Sequence, residues 1–352
     1  MSISRYLRIA LFAATTLCAV AGPQPSSAQD DLFAGKAVNL LIGLGPGGAN
    51  DVWARVIARH MPKYIPGNPT MVVQNFPGAG GLRLMNELYN ASPKDGTVIG
   101  LVNRGLAFEP LLGGANTRFE ASKMNWIGSP DRDVTVCAAR KDAKVQTLQD
   151  LFSKELIVGG TGSGADTAIY PQFLAELLAM KFKVVLGYPG SKEISLAMER
   201  NEVEGICVAY ESLMRQTLAQ EGKLNVLFQA ALQADPRLKG VPVGTDLAKS
   251  EEDRAVLKLF FARVAMGRPI VAPPGLDPAR VAALRQAFDK TMADPAFLEE
   301  AKQMNLRIDA ITGQELSEVV ARTYQSSKET VAKASEILGR LKAAENKAGE
   351  KK

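Results

Sequence analysis

Histidine is almost absent from this chain of 352 residues: His60 is the only one, and there are three cysteines. His-rich metal sites and four-cysteine zinc clusters are therefore excluded, and histidine acid/base chemistry has a single candidate. No G-x-S-x-G elbow occurs, so a hydrolase of that design is missing its nucleophile. A charge excess is missing too. Lys and Arg number 42 against 37 Asp and Glu, net +5; Arg5 and Arg8 lie in the first segment, and without them 40 basic residues against 37 acids leave +3. That is too little to argue nucleic-acid binding from charge. No apolar run reaches the ~20 residues needed to cross a bilayer. The rest is ordinary globular composition, 46% hydrophobic and 22% charged, in a length that suits two domains. Glycine is plentiful at 31 residues, and its placement carries the argument.

Arg5 and Arg8 precede an apolar run from Ile9 to Gly22, and Ser26-Ser27-Ala28 supplies small residues for recognition. This is the layout of a signal peptide over residues 1–28, cleaved after Ala28, which makes the mature protein soluble and exported. A lipid anchor on Cys18 is disfavoured because Leu17, not a small residue, precedes it. Export leaves Cys137 and Cys207 in an oxidising compartment, where a disulfide is permitted. Both lie in apolar strand-like runs, and the reading adopted from the residues is two buried free thiols.

The first ordered unit alternates strands, glycine loops and helices. Residues 37–42 are a short apolar strand, 43–48 a loop, and Val52, Trp53, Val56, Ile57 and Met61 recur at helical spacing behind Asn50 or Asp51 as N-cap. A second strand over 70–75, the loop 76–81, a helix bearing Leu84, Met85 and Leu88, and a strand over 98–102 follow. The cluster Trp126-Ile127-Gly128-Ser129-Pro130 breaks the pattern and opens a second unit, with strands over 135–139, 156–159, 183–186, 205–208 and 225–229. Apolar strands separated by helices imply parallel, doubly wound sheets. Later come a strand at 270–272, a helix capped by Asp277 with Pro278 first, a strand near 306–308, and a capping box of Thr312 with Glu315 that opens a long final helix. Residues 343–352 read as a frayed polar tail.

Three glycine loops, at 43–48, 78–81 and 159–164, each stand before a helix. Glycine lets a ligand approach backbone amides, and the amides and dipole of a helix entrance favour an anion. Gly43, Gly45 and Gly48 also satisfy the G-x-G-x-x-G spacing of a dinucleotide loop, which makes a nucleotide-dependent oxidoreductase the competing class. Against it, the second strand ends in Gln74-Asn75 where that fingerprint needs an acid. Two units that each offer such a cradle point to a ligand held between them.

These stretches resemble the periplasmic solute-binding proteins of tripartite tricarboxylate transporters. The matching residues are Gly47-Gly48-Ala49-Asn50-Asp51-Val52 with Ala54-Arg55, then Val73-Gln74-Asn75-Phe76-Pro77-Gly78-Ala79-Gly80-Gly81, then Asp95-Gly96-Thr97. Gly162-Ser163-Gly164-Ala165, Gly187-Tyr188-Pro189-Gly190-Ser191 and the 269–274 segment follow in the same order. The resemblance implies two doubly wound α/β lobes joined by crossover strands, a type II-like Venus-flytrap, with lobe 1 over 29–128 plus 265–342 and lobe 2 over 129–264. It implies a monomeric protein of the periplasm that closes on a small carboxylate, a di- or tricarboxylate or an aromatic acid, and delivers it to membrane permease subunits, without catalysis, metal, cofactor or nucleic acid; a periplasmic ligand-sensing partner is the other non-enzymatic reading. Mapped onto this sequence, the ligand meets Gly47, Gly48 and Ala49 on one lobe and Thr161, Gly162, Ser163, Tyr188, Gly190 and Ser191 on the other. Asn50, Gly80, Arg104 and Tyr210 complete the candidate set. Relatives often carry an acid or amide where this chain has Val208-Ala209.

Individual side chains read as follows. Asp51 is a helix cap or loop brace rather than a catalytic acid. His60 follows Val52 and Val56 at four-residue steps and packs on the inner helix face. Arg104 and Arg132 each allow two readings, a bidentate clamp on a carboxylate or a structural arginine. Trp126 belongs to hinge packing, whereas Phe108, Tyr188 and Tyr210 are candidates for reading the rest of the ligand.

Overall fold

The computed structural model describes residues 32–349 except 115, 133 and 162–164. The signal peptide expected over 1–28 and the candidate residues Gly162 and Ser163 lie outside the described residues.

The chain opens with β1 (Ala37–Ile42), α1 (Ala49–His60), β2 (Thr70–Asn75), α2 (Leu82–Asn90), β3 (Val98–Leu101) and β4 (Asn125–Ser129). It continues through β5 (Thr135–Arg140), β6 (Leu156–Gly160), α3 (Asp166–Leu178), β7 (Phe182–Leu186), α4 (Ser191–Glu199), β8 (Gly205–Ala209), the short helices α5 (Tyr210–Met214) and α6 (Thr217–Gln220), β9 (Leu224–Ala230) and α7 (Glu251–Phe261). The last elements are β10 (Ile270–Ala272), α8 (Pro278–Met292), α9 (Pro295–Gln303), β11 (Ile311–Thr312), α10 (Gly313–Tyr324) and α11 (Lys328–Gly349).

Two mixed sheets result, ordered β11-β4-β10-β3-β1-β2 and β7-β6-β8-β5-β9. The βαβ parts are parallel as the pattern predicts: β1 with β2 and β3, and β6 with β7 and β8. Strands that enter after a passage between the sheets run antiparallel: β10 against β3 and β4, and β5 against β8 and β9. The wholly parallel expectation is corrected there, because a strand arriving from the other sheet needs no crossover helix and its direction is free.

Apolar packing explains the layers. Val38, Leu40 and Ile42 alternate into a core with Trp53, Val56 and Ile57 of α1 and Leu284 and Phe288 of α8. A second cluster is continuous between the two sheets. It runs from Leu84, Leu88 and Trp126 to Tyr170 and Phe173 of α3, Phe260 and Phe261 of α7, and Ile337 and Leu338 of α11. Phe173 and Phe260 stack at 3.8 Å between centroids. The two sheets thus share one apolar back wall.

Several local expectations change. Trp126 to Ser129 belong to β4, not to a break: Gly128 is there because a Cβ would overlap Phe288, and Trp126 is buried with its indole N–H donating to the Ala121 carbonyl. The strand expected near 306–308 is two residues long and sits at Ile311–Thr312. The Thr312–Glu315 capping box is present, but the helix behind it stops at Tyr324 and α11 begins afresh at Lys328, Ser327 accepting from the Thr330 amide. That last helix continues to Gly349, past the tail boundary at 343.

Cys137 and Cys207 form a disulfide, which overturns the free-thiol reading. Antiparallel pairing of β5 with β8 sets them directly opposite, Cα atoms 4.0 Å apart, which brings the two sulfurs into bonding reach.

The two neighbouring passages between the sheets are tied together. Ser129 accepts from the Arg268 amide at 2.8 Å and its hydroxyl donates to the Asp131 carbonyl at 3.0 Å, while the Arg268 guanidinium pairs with the Asp131 carboxylate. Gly267, at φ +59°, leaves no room for a side chain against Asp131.

Candidate binding site

The carboxyl ends of β1, β3, β6 and β8 converge on a cleft between the sheets, where open α/β sheets place ligands. Its first wall is the loop after β1. Gly48 is the N-cap of α1, with φ −79° and ψ 171°, and no side chain caps the helix. Asn50 and Asp51 are therefore inside α1 and not at its cap, as the spacing had suggested. In this turn the Val52 amide donates to the Gly48 carbonyl at 3.1 Å, so the amides of Ala49 and Asn50 stand at an uncapped entrance. A Cβ built on Gly45, Gly47 or Gly48 would meet nothing within 4 Å.

Asp51 shapes this loop, as its brace reading anticipates. Its carboxylate accepts from the Gly47 amide at 3.1 Å, from Arg55 Nε at 3.0 Å and Nη2 at 2.9 Å, and from Asn75 Nδ2 at 3.0 Å. The Arg55 guanidinium beside it, helped by the Gly47 and Asn75 donors against the cost of burial, holds its carboxyl down at about 2. Asn75 also donates to the Leu44 carbonyl at 3.1 Å. The end of the second strand, where a dinucleotide site needs a ribose acid, is thus an amide spent on the loop. Gly43 lies against Gly81, with a built Cβ 3.0 Å from the Gly81 Cα. These two glycines let the first two loops touch each other.

Across the cleft, α4 begins at Ser191 behind an uncapped Gly190. Gly47, Gly48, Ala49 and Val52 face Ser191, Lys192, Ser195 and Arg215 around a cavity of about 670 Å³. Two helix entrances and the basic side chains Lys192 and Arg215 share this space with one acid, Glu199, and the balance still suits an anion. Beside it, a smaller cavity of about 140 Å³ is lined by Asn50, Asn103, Arg104, Asp166, Ala209 and Arg268, among others. The start of α1 borders both.

Arg104 is buried at the floor of the smaller cavity. It donates through Nε to Asp166 Oδ2 at 3.1 Å and through Nη2 to the Thr135 hydroxyl at 2.7 Å, and its Nη2 also pairs with Asp166. This ion pair joins the segment after β3 to the start of α3 on the other sheet. Arg268 is 13% exposed beside it, paired with Asp131; burial, with Arg104 adding to it, pushes its guanidinium down to about 10.

The remaining candidates sit elsewhere. Gly80 is exposed on the turn before α2 and lines neither cavity. Gly159 and Gly160 belong to β6, where a Cβ would press on Ile194 or Leu186. The Thr161 amide and hydroxyl both meet Thr167 Oγ1 at 3.0 Å. Tyr188 and Tyr210 pack on the cluster beneath the second sheet, and the Arg237 guanidinium covers the Tyr210 ring at 4.9 Å. Phe108 is core. Arg132 takes the structural reading, paired with Glu315 of the capping box at 2.8 Å. His60 Nε2 meets Glu300 at 2.6 Å and its ring edge packs on Phe297, fixing α1 to α9. Sequence reasoning missed Asp166 and Arg268. The available signals were an acid one turn past a glycine loop and an arginine between Gly267 and Pro269. Among the described residues no cluster of three or more His, Cys, Asp or Glu could hold a metal, and no helix is long and apolar enough to cross a membrane.

The model of the family described as "Tripartite tricarboxylate transporter family receptor" matches residues 53–336. A UPF0065 protein of Cupriavidus necator is 25% identical over 342 residues, covering 93% of this chain and 95% of the relative. Among solved structures, a ligand-free TctC solute-binding protein from Polaromonas is 20% identical with a TM-score of 0.64, covering 86% of this chain and 98% of its own. MatC of Rhodopseudomonas palustris with bound malate is 19% identical with a TM-score of 0.61, covering 86% and 98%. A protein of the same species with adipate is 16% identical with a TM-score of 0.61, covering 85% and 97%. The fold is that of these solute-binding proteins, with two α/β lobes.

Proposed function

Because this chain belongs to the tripartite tricarboxylate transporter receptor family, we propose that it is a periplasmic solute-binding protein that captures a small carboxylate by hinge closure and delivers it to a tripartite tricarboxylate-type permease. The observation that carries this reading is the uncapped, glycine-walled start of α1 facing the start of α4 across an open cavity. One carboxylate of the ligand docks on the Ala49 and Asn50 amides; Gly47, Gly48 and Ser191 surround it. The malate and adipate held by structural relatives are consistent with that class. The protein acts as an exported monomer after cleavage near Ala28, with one lobe over 29–128 plus 265–342 and the other over 129–264.

Closure is a population shift: the two lobes contribute to one pocket, so ligand contacts that exist only when both are near drive the closed state. Four charge-assisted hydrogen bonds at about 1.5–3 kcal/mol each supply roughly 6–12 kcal/mol against an association cost of about 4–15 kcal/mol. Micromolar affinity, about −8 kcal/mol, then needs the enclosed walls as well. The test is a thermal-shift screen of the exported protein against mono-, di- and tricarboxylates, amino acids and NAD. A true ligand at a hundred times its Kd adds about 2.7 kcal/mol and raises Tm by roughly 4 °C. Stabilisation by NAD with turnover, and by no carboxylate, refutes the binding reading in favour of the oxidoreductase.

A further inference from the structure

We infer that Arg268 and Asp166 form a donor–acceptor pair that reads the second end of the ligand. The class it selects is a short-chain diacid carrying a hydroxyl or ammonium on the carbon beside the second carboxylate. The inference rests on the solute-binding reading above and adds the group that distinguishes one carboxylate from another.

The cavity of about 140 Å³ beside α1 is the setting. It is about five times the ~30 Å³ share of one water, which is room for a short polar segment. Arg268 and Asp166 are both in its wall. A guanidinium carries five N–H donors. The ion pair of Arg268 with Asp131 is formed by Nη1, and among the described residues its side chain has no other partner. The rest of the fork is left for an acceptor from outside the chain. Asp166 is the complement. Both of its bonds from Arg104 fall on Oδ2; Oδ1 accepts none among the described residues, and the side chain is 26% exposed. An open donor and an open acceptor therefore stand in one small space, each held in place by its own partner.

Charge balance narrows the ligand further. The cavity holds two arginines, each paired with an aspartate, Arg104 with Asp166 and Arg268 with Asp131. A methylene chain ending in a carboxylate would satisfy Arg268 and leave the Asp166 oxygen desolvated without a donor, an unfavourable state. A neighbouring hydroxyl or ammonium satisfies it. Ala209 lines the same space with only a methyl group, so Asp166 is the acidic side chain that this wall offers to a donor.

The test compares succinate, malate and aspartate by isothermal titration of the exported protein. At least one donor-bearing diacid is expected to bind about tenfold or more tightly than succinate. In Asp166→Ala that ratio falls to within threefold. Asp166→Asn separates the donors: the amide oxygen still accepts, so a ratio kept for malate identifies a hydroxyl, and a ratio lost for aspartate identifies an ammonium. Arg268→Gln alone would strand the buried Asp131, so Arg268 is tested in the neutral pair Arg268→Gln/Asp131→Asn, with its fold checked by circular dichroism. That pair is expected to weaken all three diacids by about 10- to 100-fold. Equal binding of the three diacids, tighter binding of succinate, or a ratio that survives Asp166→Ala overturns the role of Asp166. Unchanged affinity in the folded double variant overturns that of Arg268. If no carboxylate binds the unmodified protein, it is the solute-binding reading that fails.

Discussion

Gly48→Val is the sharpest test of the docking surface. The position tolerates a side chain as far as folding is concerned: φ is −79°, ψ is 171°, and a built Cβ meets nothing within 4 Å. Losing the glycine N-cap costs about 1 kcal/mol, and the reduced freedom of the unfolded chain returns about 0.4–1 kcal/mol. Tm is therefore expected to stay within about 3 °C of the original protein. The valine methyl groups occupy the space in front of the Ala49 and Asn50 amides, where the carboxylate docks. Two charge-assisted bonds at about 1.5–3 kcal/mol each are lost, about 3–6 kcal/mol together, and Kd rises by more than about 100-fold. Isothermal titration with whichever carboxylate stabilises the original protein reads this directly. A folded Gly48→Val protein whose Kd stays within threefold refutes docking on the α1 amides, because no carboxylate reaches them past the valine.

The other predictions concern the scaffold. The Asp51 carboxyl lies near 2, below its ordinary 3.8, so its contribution is complete above about pH 5 and is lost as the pH falls through 2. Arg55 is 45% exposed, so screening reduces that contribution to about 1–2 kcal/mol, of which about two-thirds is gone by pH 2.5; urea melts at pH 5 and pH 2.5 should differ by about 0.7–1.3 kcal/mol less in Asp51→Asn. Opening the Cys137–Cys207 bridge, by reductant under mild denaturation or by Cys207→Ala, removes a cross-link over a sequence separation of 70 and costs roughly 4 kcal/mol; a urea midpoint unmoved by the substitution contradicts this. Gly267→Ala sets a Cβ onto the Asp131 carbonyl at a left-handed φ of +59°, with an expected loss of at least about 2 kcal/mol; a native melting curve would disprove the close fit.

How far the sequence spoke depended on whether the signal was local. Strands and helix entrances of the βαβ parts were legible because apolar spacing, Pro278 at N1 and the Thr312–Glu315 box act within a few residues. The direction of β5 and β10 was not, since it depends on which sheet a passing strand joins. The disulfide follows from that pairing: nothing near Cys137 announces that Cys207 lies opposite. Glycine was ambiguous for a physical reason. Gly48 leaves space for a ligand, whereas Gly43, Gly81 and Gly159 leave space for other parts of the chain, and composition does not separate the two uses. The polar pair in the small cavity escaped notice because Asp166 and Arg268 are more than a hundred residues apart and come together only through the crossing strands.

The clasp of Ser129, Asp131 and Arg268 bears on how the two halves can move. Two separate tethers would permit the lobes both to swing and to slide; two tethers buttoned to each other act as one strap and leave swinging as the easy motion. The button is the same arginine that lines the small cavity. On the proposed reading, a ligand that pairs with Arg268 touches the strap itself, with no relay through the sheets between the pocket and the pivot.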